Sequence, residues 1–520
     1  MVSREISRRD IVLIFLGATC FYAFSALFSP KSNPMIVKDP DSILAPDITM
    51  DLGVQGFPET SVVAHAPGWT LFRNLYMSGG TLLLLTSNSS QFPDHKFMTS
   101  TGLPGNLTND AQRMPTPKEM AFITPNEAKM RWGRQTGISV HERNRVLTVE
   151  GLTHISHQVA QDYHFVAELM FGSWLFLSGA FHNQSAIPPT SAFEPSFNGP
   201  SLSTSVPFIN RAIFIHSDVN GLRDAPGFNG YFLRAVFPSM TVEVSIDWID
   251  RVNATTNTKI DRAWHFPLVL FTDRSAAFRS PICGAYTQRT AAEAWMLMAK
   301  AGKIDLIGNW WASIRDTLSR YAGSAPTDDP PSATLPDSQN IIITYINRQG
   351  TRRHLRDEDN LALVAAIEQM VERKNRQGTK KWEFNNVHAE RITLDEQIRF
   401  AAKTTIMLGV HGNGLTHLVF MKPTRFSAVV EIFLPGGFAR DYEWTSRSLG
   451  MTHYSIWNNE SFTHPHEPVL PAYPEGFHGP NIPVQGQFVA KLIEDHVAAK
   501  EQAAPAPSLD NSPVYDKFGG

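Results

Sequence analysis

From residue 340 onward the chain alternates two kinds of segment, and that alternation limits the folds open to it. Asn340–Ile346 (NIIITYI), Thr405–Val410 (TIMLGV), Ser427–Leu434 (SAVVEIFL) and His453–Trp457 (HYSIW) are short apolar, β-branched runs that read as buried strands. Between them, Asp357–Gln377 carries Leu361, Val364, Ile367 and Val371 at helical spacing. Thr393 and Glu396 spell a capping box ahead of another helix. Leu415–Lys422 reads as a short helix stopped by Pro423, and Arg440–Leu449 as a helix ended by Gly450. Strands that alternate with helices make a parallel, doubly wound sheet, which binds ligands beyond the carboxyl ends of its strands.

The chain has 520 residues, too many for one ordinary core. Upstream, Gly80–Ser87, Ala212–Ser217 and His265–Asp273 read as strands and Tyr163–Leu177 as a long, mostly buried helix, so a second α/β domain precedes the first. The Pro- and Ser-rich stretch Gly323–Asn340 is a boundary between the two. Hydrophobic residues make up 42% and charged residues 18%, a globular balance, and a net charge of -3 excludes an electrostatic nucleic-acid partner.

Ile11–Ser29 is different: 19 residues without a charge. As a helix this run spans a bilayer core of roughly 30 Å. Arg4, Arg8 and Arg9 precede it and only Lys31 follows closely, which keeps the N-terminus cytosolic. The run exceeds the apolar core of a cleaved signal peptide, so an uncleaved type II anchor is expected, with the remainder of the chain luminal. Five N-x-S/T sequons, at Asn88, Asn106, Asn183, Asn253 and Asn459, all lie beyond the anchor. Cys20 sits inside it, so Cys283 has no luminal partner for an intrachain disulfide.

The segment Gly409–Phe420 (GVHGNGLTHLVF) places two histidines, three glycines and an asparagine where a strand meets a helix. Gly412 and Gly414 let the backbone turn tightly and approach a ligand, and the helix that follows presents its N-terminal amides. That turn suits a diphosphate. A structural role is the commoner fate of either His411 or His417. Arg348, Arg352 and Arg353 follow the strand Asn340–Ile346, where guanidiniums suit bidentate phosphate binding. Glu431 lies inside an apolar strand, a costly place for an unpaired carboxylate. It serves either the hydroxyls of a ribose or a buried ion pair, with Arg391 as the candidate partner.

Together these residues resemble the C-terminal signature of glycosyltransferase family 61. The pattern has an arginine pair after a strand (Arg348 with Arg352 or Arg353), Glu-Gln (Glu396, Gln397), His-Gly-Ala-Gly (His411, Gly412, Asn413, Gly414) and Glu-Ile (Glu431, Ile432). The chain departs from it at Asn413, where the family has alanine. The resemblance covers roughly residues 340–460 and, more loosely, Tyr163–Gly172. It implies a GT-B-like fold, two Rossmann-like domains facing a cleft, preceded here by one transmembrane helix. It also implies an inverting transferase that moves a sugar, xylose or N-acetylglucosamine foremost, from a UDP-sugar to a glycan or glycoprotein acceptor in the Golgi or endoplasmic reticulum. Arg348, Arg353, His411, Gly412, Asn413, Gly414 and Glu431 would bind the nucleotide-sugar. The chain then divides into a cytosolic tail (1–10), anchor (11–29), stem (30–60), acceptor-side domain (61–322), linker (323–339), nucleotide-sugar domain (340–500) and tail (501–520).

An inverting transfer needs a base, expected from the N-terminal domain. Asp162, His164 and Glu168 cluster in an apolar helix, and His164 and Glu168 share one face. Glu168 is the candidate base with His164 as its partner, against a purely structural His–Glu pair; Asp273 is the weaker candidate. No cofactor is required. Asp357 and Asp359 fit the Asp-x-Asp spelling of a Mn²⁺ site but open a helix, where acidic residues are ordinary, so a metal is not favoured. The chain has no Gly-x-Ser-x-Gly nucleophile elbow, which sets a hydrolase aside. The alternative is a catalytically inactive, lectin-like or scaffold member of the same fold. The anchor is tested on sealed microsomes, where protease should spare everything beyond about residue 30. Cleavage of the C-terminus from the cytosolic side would sink the type II topology.

Overall fold

The computed structural model describes residues 57–103, 109–133, 145–149, 151–156, 164–181, 206–256, 261–280, 290–301, 303–304, 307–324, 334–378 and 380–503. The expected anchor, most of the stem, Asn106, Asp162, Asn183, Cys283 and the tail from residue 504 lie outside them. Among the described residues no helix is long and apolar enough to cross a membrane. The chain from Gly56 onward forms one compact unit.

That unit is mixed α/β and contains two sheets. The first has strands β1 (Ser61–Ala66), β2 (Trp69–Ser78), β3 (Thr81–Leu85), β4 (Met120–Ile123), β5 (Val146–Thr148), β6 (Leu152–Ser156), β7 (Ile209–Phe214), β8 (Thr241–Glu243) and β9 (Ala263–Thr272). Its order is β4-β3-β2-β9-β6-β7-β8, with β1 on β2 and β5 on β9. Only β2 runs against the rest, pairing antiparallel with β1, β3 and β9. Residues 57–60, expected in the stem, pack here instead: Thr60 Oγ1 donates to Asn74 O, and Tyr76 Oη donates to Pro58 O.

The second sheet has strands β10 (Asn340–Ile346), β11 (Lys381–Val387), β12 (Ile406–Val410), β13 (Ala428–Phe433), β14 (Thr452–Trp457) and β15 (Glu460–Phe462), in the order β11-β10-β12-β13-β14-β15. All pairs are parallel except β14 with β15. The order reverses between β10 and β12, which is the switch point where a doubly wound sheet binds ligands. The period of two is kept: Ile341, Ile343, Tyr345, Leu408, Val410, Val430 and Ile432 face one core, and Met407 and Val429 the other. The first face is covered by the helices Asp357–Gln377 and Gly486–Gln502. The second carries Leu394–Lys403, the 3₁₀ helix Asn413–Phe420 and Asp441–Ser448.

Two elements depart from expectation. Leu361 is exposed, and the buried stripe of its helix runs through Leu363, Ala366, Ile367 and Met370. The stripe turns because the C-terminal helix lies against it so closely that a Cβ on Gly486 would come 2.6 Å from Leu363 Cα. The expected helix Tyr163–Leu177 is a π turn, His164–Met170, continued as an α-helix, Phe171–Ala180.

The second face of the second sheet shares its core with the first sheet. Phe171 lies 4.8 Å from Trp311 and 5.8 Å from Trp444, ring to ring. Trp311 is fully buried and its Nε1 donates to Val419 O at 2.8 Å. Tyr231 Oη donates to Asp395 Oδ1 at 2.6 Å across the same junction. Trp311→Ala should therefore cost about 3–5 kcal/mol, read from the urea midpoint. A loss below about 1 kcal/mol would mean that this core does not join the two sheets.

Candidate active site

The loop after β10 and the turn after β12 meet at the switch point. They form one wall of a cleft of about 300 Å³ lined by His164, Arg348, Arg352, Arg353, His411, Gly412, Asn413, Asp441 and Tyr442. Arg348 Nη1 and Arg353 Nη1 both donate to His411 O, at 3.2 and 2.8 Å, so the backbone carbonyl of the turn aims two guanidiniums. Burial lowers the pKa of both, and neighbouring guanidiniums lower it further. Each would be relieved by an anion. Gly412 has φ +141°, and a Cβ there would stand 1.9 Å from Arg348 Nη1. Glycine is thus needed both for the backbone and for the arginine beside it. Gly414 presses on Ile346, where a Cβ would come 2.7 Å from Cγ2.

Glu431 is fully buried and does not line the cleft. His411 Nδ1 donates to Glu431 Oε1 at 2.5 Å, and His453 Nε2 donates to Oε2 at 2.8 Å. Glu431 thus lies beneath His411 with both oxygens occupied, and Arg391 pairs with Glu390 instead. Burial pushes the Glu431 carboxyl up, but His411 and His453 outweigh it and hold it below its ordinary range. Burial lowers the His411 pKa despite the pull of Glu431. The pair is therefore carboxylate and neutral imidazole, with the His411 proton on Nδ1. His417 is structural: its Nδ1 donates to Gly414 O at 3.0 Å and its ring packs on Phe228 and Phe420.

The opposite wall comes from the first sheet. His164 lines the cleft with a side chain 32% exposed, whereas Glu168 is 1% exposed. His164 Nδ1 lies 2.5 Å from Glu168 Oε2 and 3.0 Å from Arg274 Nη2. Arg274 donates through Nε to Oε1 at 3.0 Å and through Nη2 to Oε2 at 3.2 Å. The carboxylate is thus held on both oxygens, and the imidazole is what meets the cleft. Asp273 caps the helix Arg274–Ala277 by accepting from Ala276 N.

Asp441 was not singled out in the sequence. It stands in the first turn of Asp441–Ser448 and is the one carboxylate among the described residues lining the cleft. Burial raises its pKa well above the ordinary value, reinforced by Glu431 and Glu168 from either side and opposed by Arg274. Tyr442 beside it is raised likewise, first by burial.

Other expected residues stand away from the cleft. Glu396 closes the capping box with Thr393, and Gln397 Nε2 donates to Ala389 O and Ile392 O. Asp357 Oδ1 accepts from Gln349 Nε2, and Asp359 Oδ2 from Val484 N. Among the described residues one metal-capable trio converges, Glu443, His464 and Glu467, but Arg440 and Arg447 already bind Glu443. Two cations on that carboxylate argue against a third. Asn88, Asn253 and Asn459 are all exposed.

A family model described as Glycosyltransferase 61 matches residues 163–430. The chain is also similar to a protein of Drosophila melanogaster named EGF domain-specific O-linked N-acetylglucosamine transferase, 34% identical over 86 residues. That match covers 16% of this chain and 14% of the relative.

Glu431→Ala would leave two buried histidines without their acceptor, at a cost of about 3 kcal/mol at pH 7. The Glu431 pKa is depressed in the folded chain, so its stabilisation is present above about pH 4.5 and is lost as pH falls through the folded value. Urea midpoints of the two proteins should therefore converge on acidification. A difference unchanged down to pH 3 would show that the carboxylate charge plays no part.

Proposed function

The chain belongs to glycosyltransferase family 61, and from that premise we propose that it transfers a sugar from a UDP-sugar to a hydroxyl of a glycan or glycoprotein acceptor, with inversion. The observation that carries the reading is the convergence of Arg348, Arg352 and Arg353 with the Gly412–Asn413 turn at the switch point of a parallel sheet. Three guanidiniums and a helix N-terminus match the charge and geometry of a diphosphate and call on no metal. N-acetylglucosamine is the leading sugar, supported by the name of the Drosophila relative, with xylose second.

In this reading the two sheets form the two sides of a GT-B-like arrangement, the second binding the donor and the first the acceptor. The acceptor oxygen attacks the anomeric carbon in line as the bond to the diphosphate oxygen breaks. The electron pair leaves with UDP, where Arg348 and Arg353 stabilise it. The hydroxyl proton passes to the first-sheet wall. The geometry supports His164 as the group that takes it, on Nε2, because Nδ1 is occupied by Glu168 and Arg274. Glu168, itself clamped by Arg274, would hold the tautomer and steady the imidazolium that forms. His411, fixed by Glu431, orients the turn beneath the donor.

The N-terminal apolar run and the exposed sequons Asn88, Asn253 and Asn459 bear on the place of action. Both support a single-pass type II protein of the Golgi or endoplasmic reticulum membrane with a luminal catalytic part.

Release of UDP from a panel of UDP-sugars, with and without acceptors, tests the activity. Arg348→Ala should weaken UDP binding by about 1.5–3 kcal/mol in titration calorimetry, and Gly412→Val should weaken it by displacing Arg348. Unchanged affinity in both folded variants would remove the donor site from this cleft. His164→Ala should lower kcat by roughly 10²–10⁴ with UDP affinity intact, and Glu168→Gln should lower it less. The opposite ranking would return the base to Glu168.

A further inference from the structure

A loop after β15 brings an aromatic surface against Arg353 and His411, two residues that line the cleft. Tyr473 is 49% exposed, although its ring is packed from the side by Phe477 at 4.9 Å. The rings of Tyr473 and His478 lie 6.1 Å apart and nearly parallel, at 16°. Phe477 is buried and anchors the loop 5.4 Å from the His411 ring. Val469 and Leu470, earlier in the same loop, are also exposed.

Arg353 ties this surface to the phosphate-binding wall. Its Nη1 donates to His411 O and its Nη2 donates to His478 Nδ1 at 2.7 Å, while its plane lies 5.4 Å from the Phe477 ring centre. Burial and the cations Arg353 and Arg352 hold His478 below the ordinary histidine range. A neutral His478 that accepts at Nδ1 carries its proton on Nε2, a donor suited to a ring carbonyl. Tyr473 is joined to the cleft wall through His478, whose Nδ1 accepts from Arg353.

We propose that Tyr473 and His478 form the platform for the nucleobase of the donor, Tyr473 by stacking and His478 by hydrogen bonding, with Arg353 shared between base platform and diphosphate. The proposal rests on the donor reading of the cleft. The occupant follows from chemistry: a nucleoside diphosphate is a flat π ring joined through one ribose to two phosphates. An aromatic face joined through one arginine to a cluster of guanidiniums matches that order. Stacking tolerates any base, so the choice among bases falls to His478 and its loop.

Titration of the full chain with UDP and, separately, with inorganic pyrophosphate tests this. Binding of both probes by the parent protein is the expectation of the donor reading itself, and failure there overturns that reading and the platform with it. Given parent binding, Tyr473→Ala should lower UDP affinity by about 10- to 100-fold and leave pyrophosphate affinity unchanged. Tyr473→Phe should keep parent affinity for both. Three results would overturn the platform while leaving the donor cleft standing. UDP affinity could be unaltered in Tyr473→Ala. Pyrophosphate affinity could fall in parallel, which would make the loop a mere support for Arg353. The variant could instead raise only the KM for the acceptor, which would assign the surface to the acceptor sugar.

Discussion

The packing of Phe171, Trp311 and Trp444 between the two sheets sets the geometry on which the cleft depends. Each wall of the cleft is the outer end of an element whose inner end belongs to this core. His164 opens the π turn that runs directly into Phe171, and Asp441 opens the helix that carries Trp444 one turn later. A rotation of either element in the core would move its cleft residue by a comparable amount. Close-packed interiors resist such shifts, so the spacing between His164 and the arginines is held by apolar contacts that touch no substrate. Hydrogen bonds at the junction, Trp311 to Val419 O and Tyr231 to Asp395, limit sliding as well.

Electrostatics follow the same division. Three carboxylates lie at or just beneath the cleft, and two of them are covered. Glu431 is covered by His411 and His453, and Glu168 by His164 and Arg274. Both sit behind an imidazole, so what meets the cleft on either side is a ring held in place by a buried carboxylate. The arginines on the loop after β10 are then left to set the sign of the field.

The second half of the chain was legible because its signals are local. The apolar, β-branched runs of β10, β12 and β13, the Thr393–Glu396 box and the glycine turn at residues 412–414 each act within a few residues, and each stands where the sequence placed it. β11 escaped notice because an edge strand such as KWEFNNV has only one well-buried face and little β-branched character. The C-terminal helix was missed although Val489, Ile493 and Val497 keep helical spacing. Among site residues the arginines could be read, since guanidiniums after a strand need no tertiary knowledge. The pairing of Arg274 with Glu168, more than a hundred residues apart, could not. Nor could the burial of Glu431 between two histidines, one of which, His453, looked like an ordinary strand residue.

Asp441 shows why such residues stay hidden. In sequence it is one acidic residue at a helix start, where acidic residues are common. Its meaning comes from three neighbours on three other elements: Glu431 on β13, Glu168 on the π turn and Arg274 after β9. Two carboxylates and desolvation press it toward the protonated form, and one guanidinium opposes them. An ionised carboxylate beside Arg348 and Arg353 would cancel part of their charge and repel an incoming diphosphate. A protonated one removes that repulsion and offers a hydrogen-bond donor instead. An anion bound at the arginines would in turn favour the neutral form.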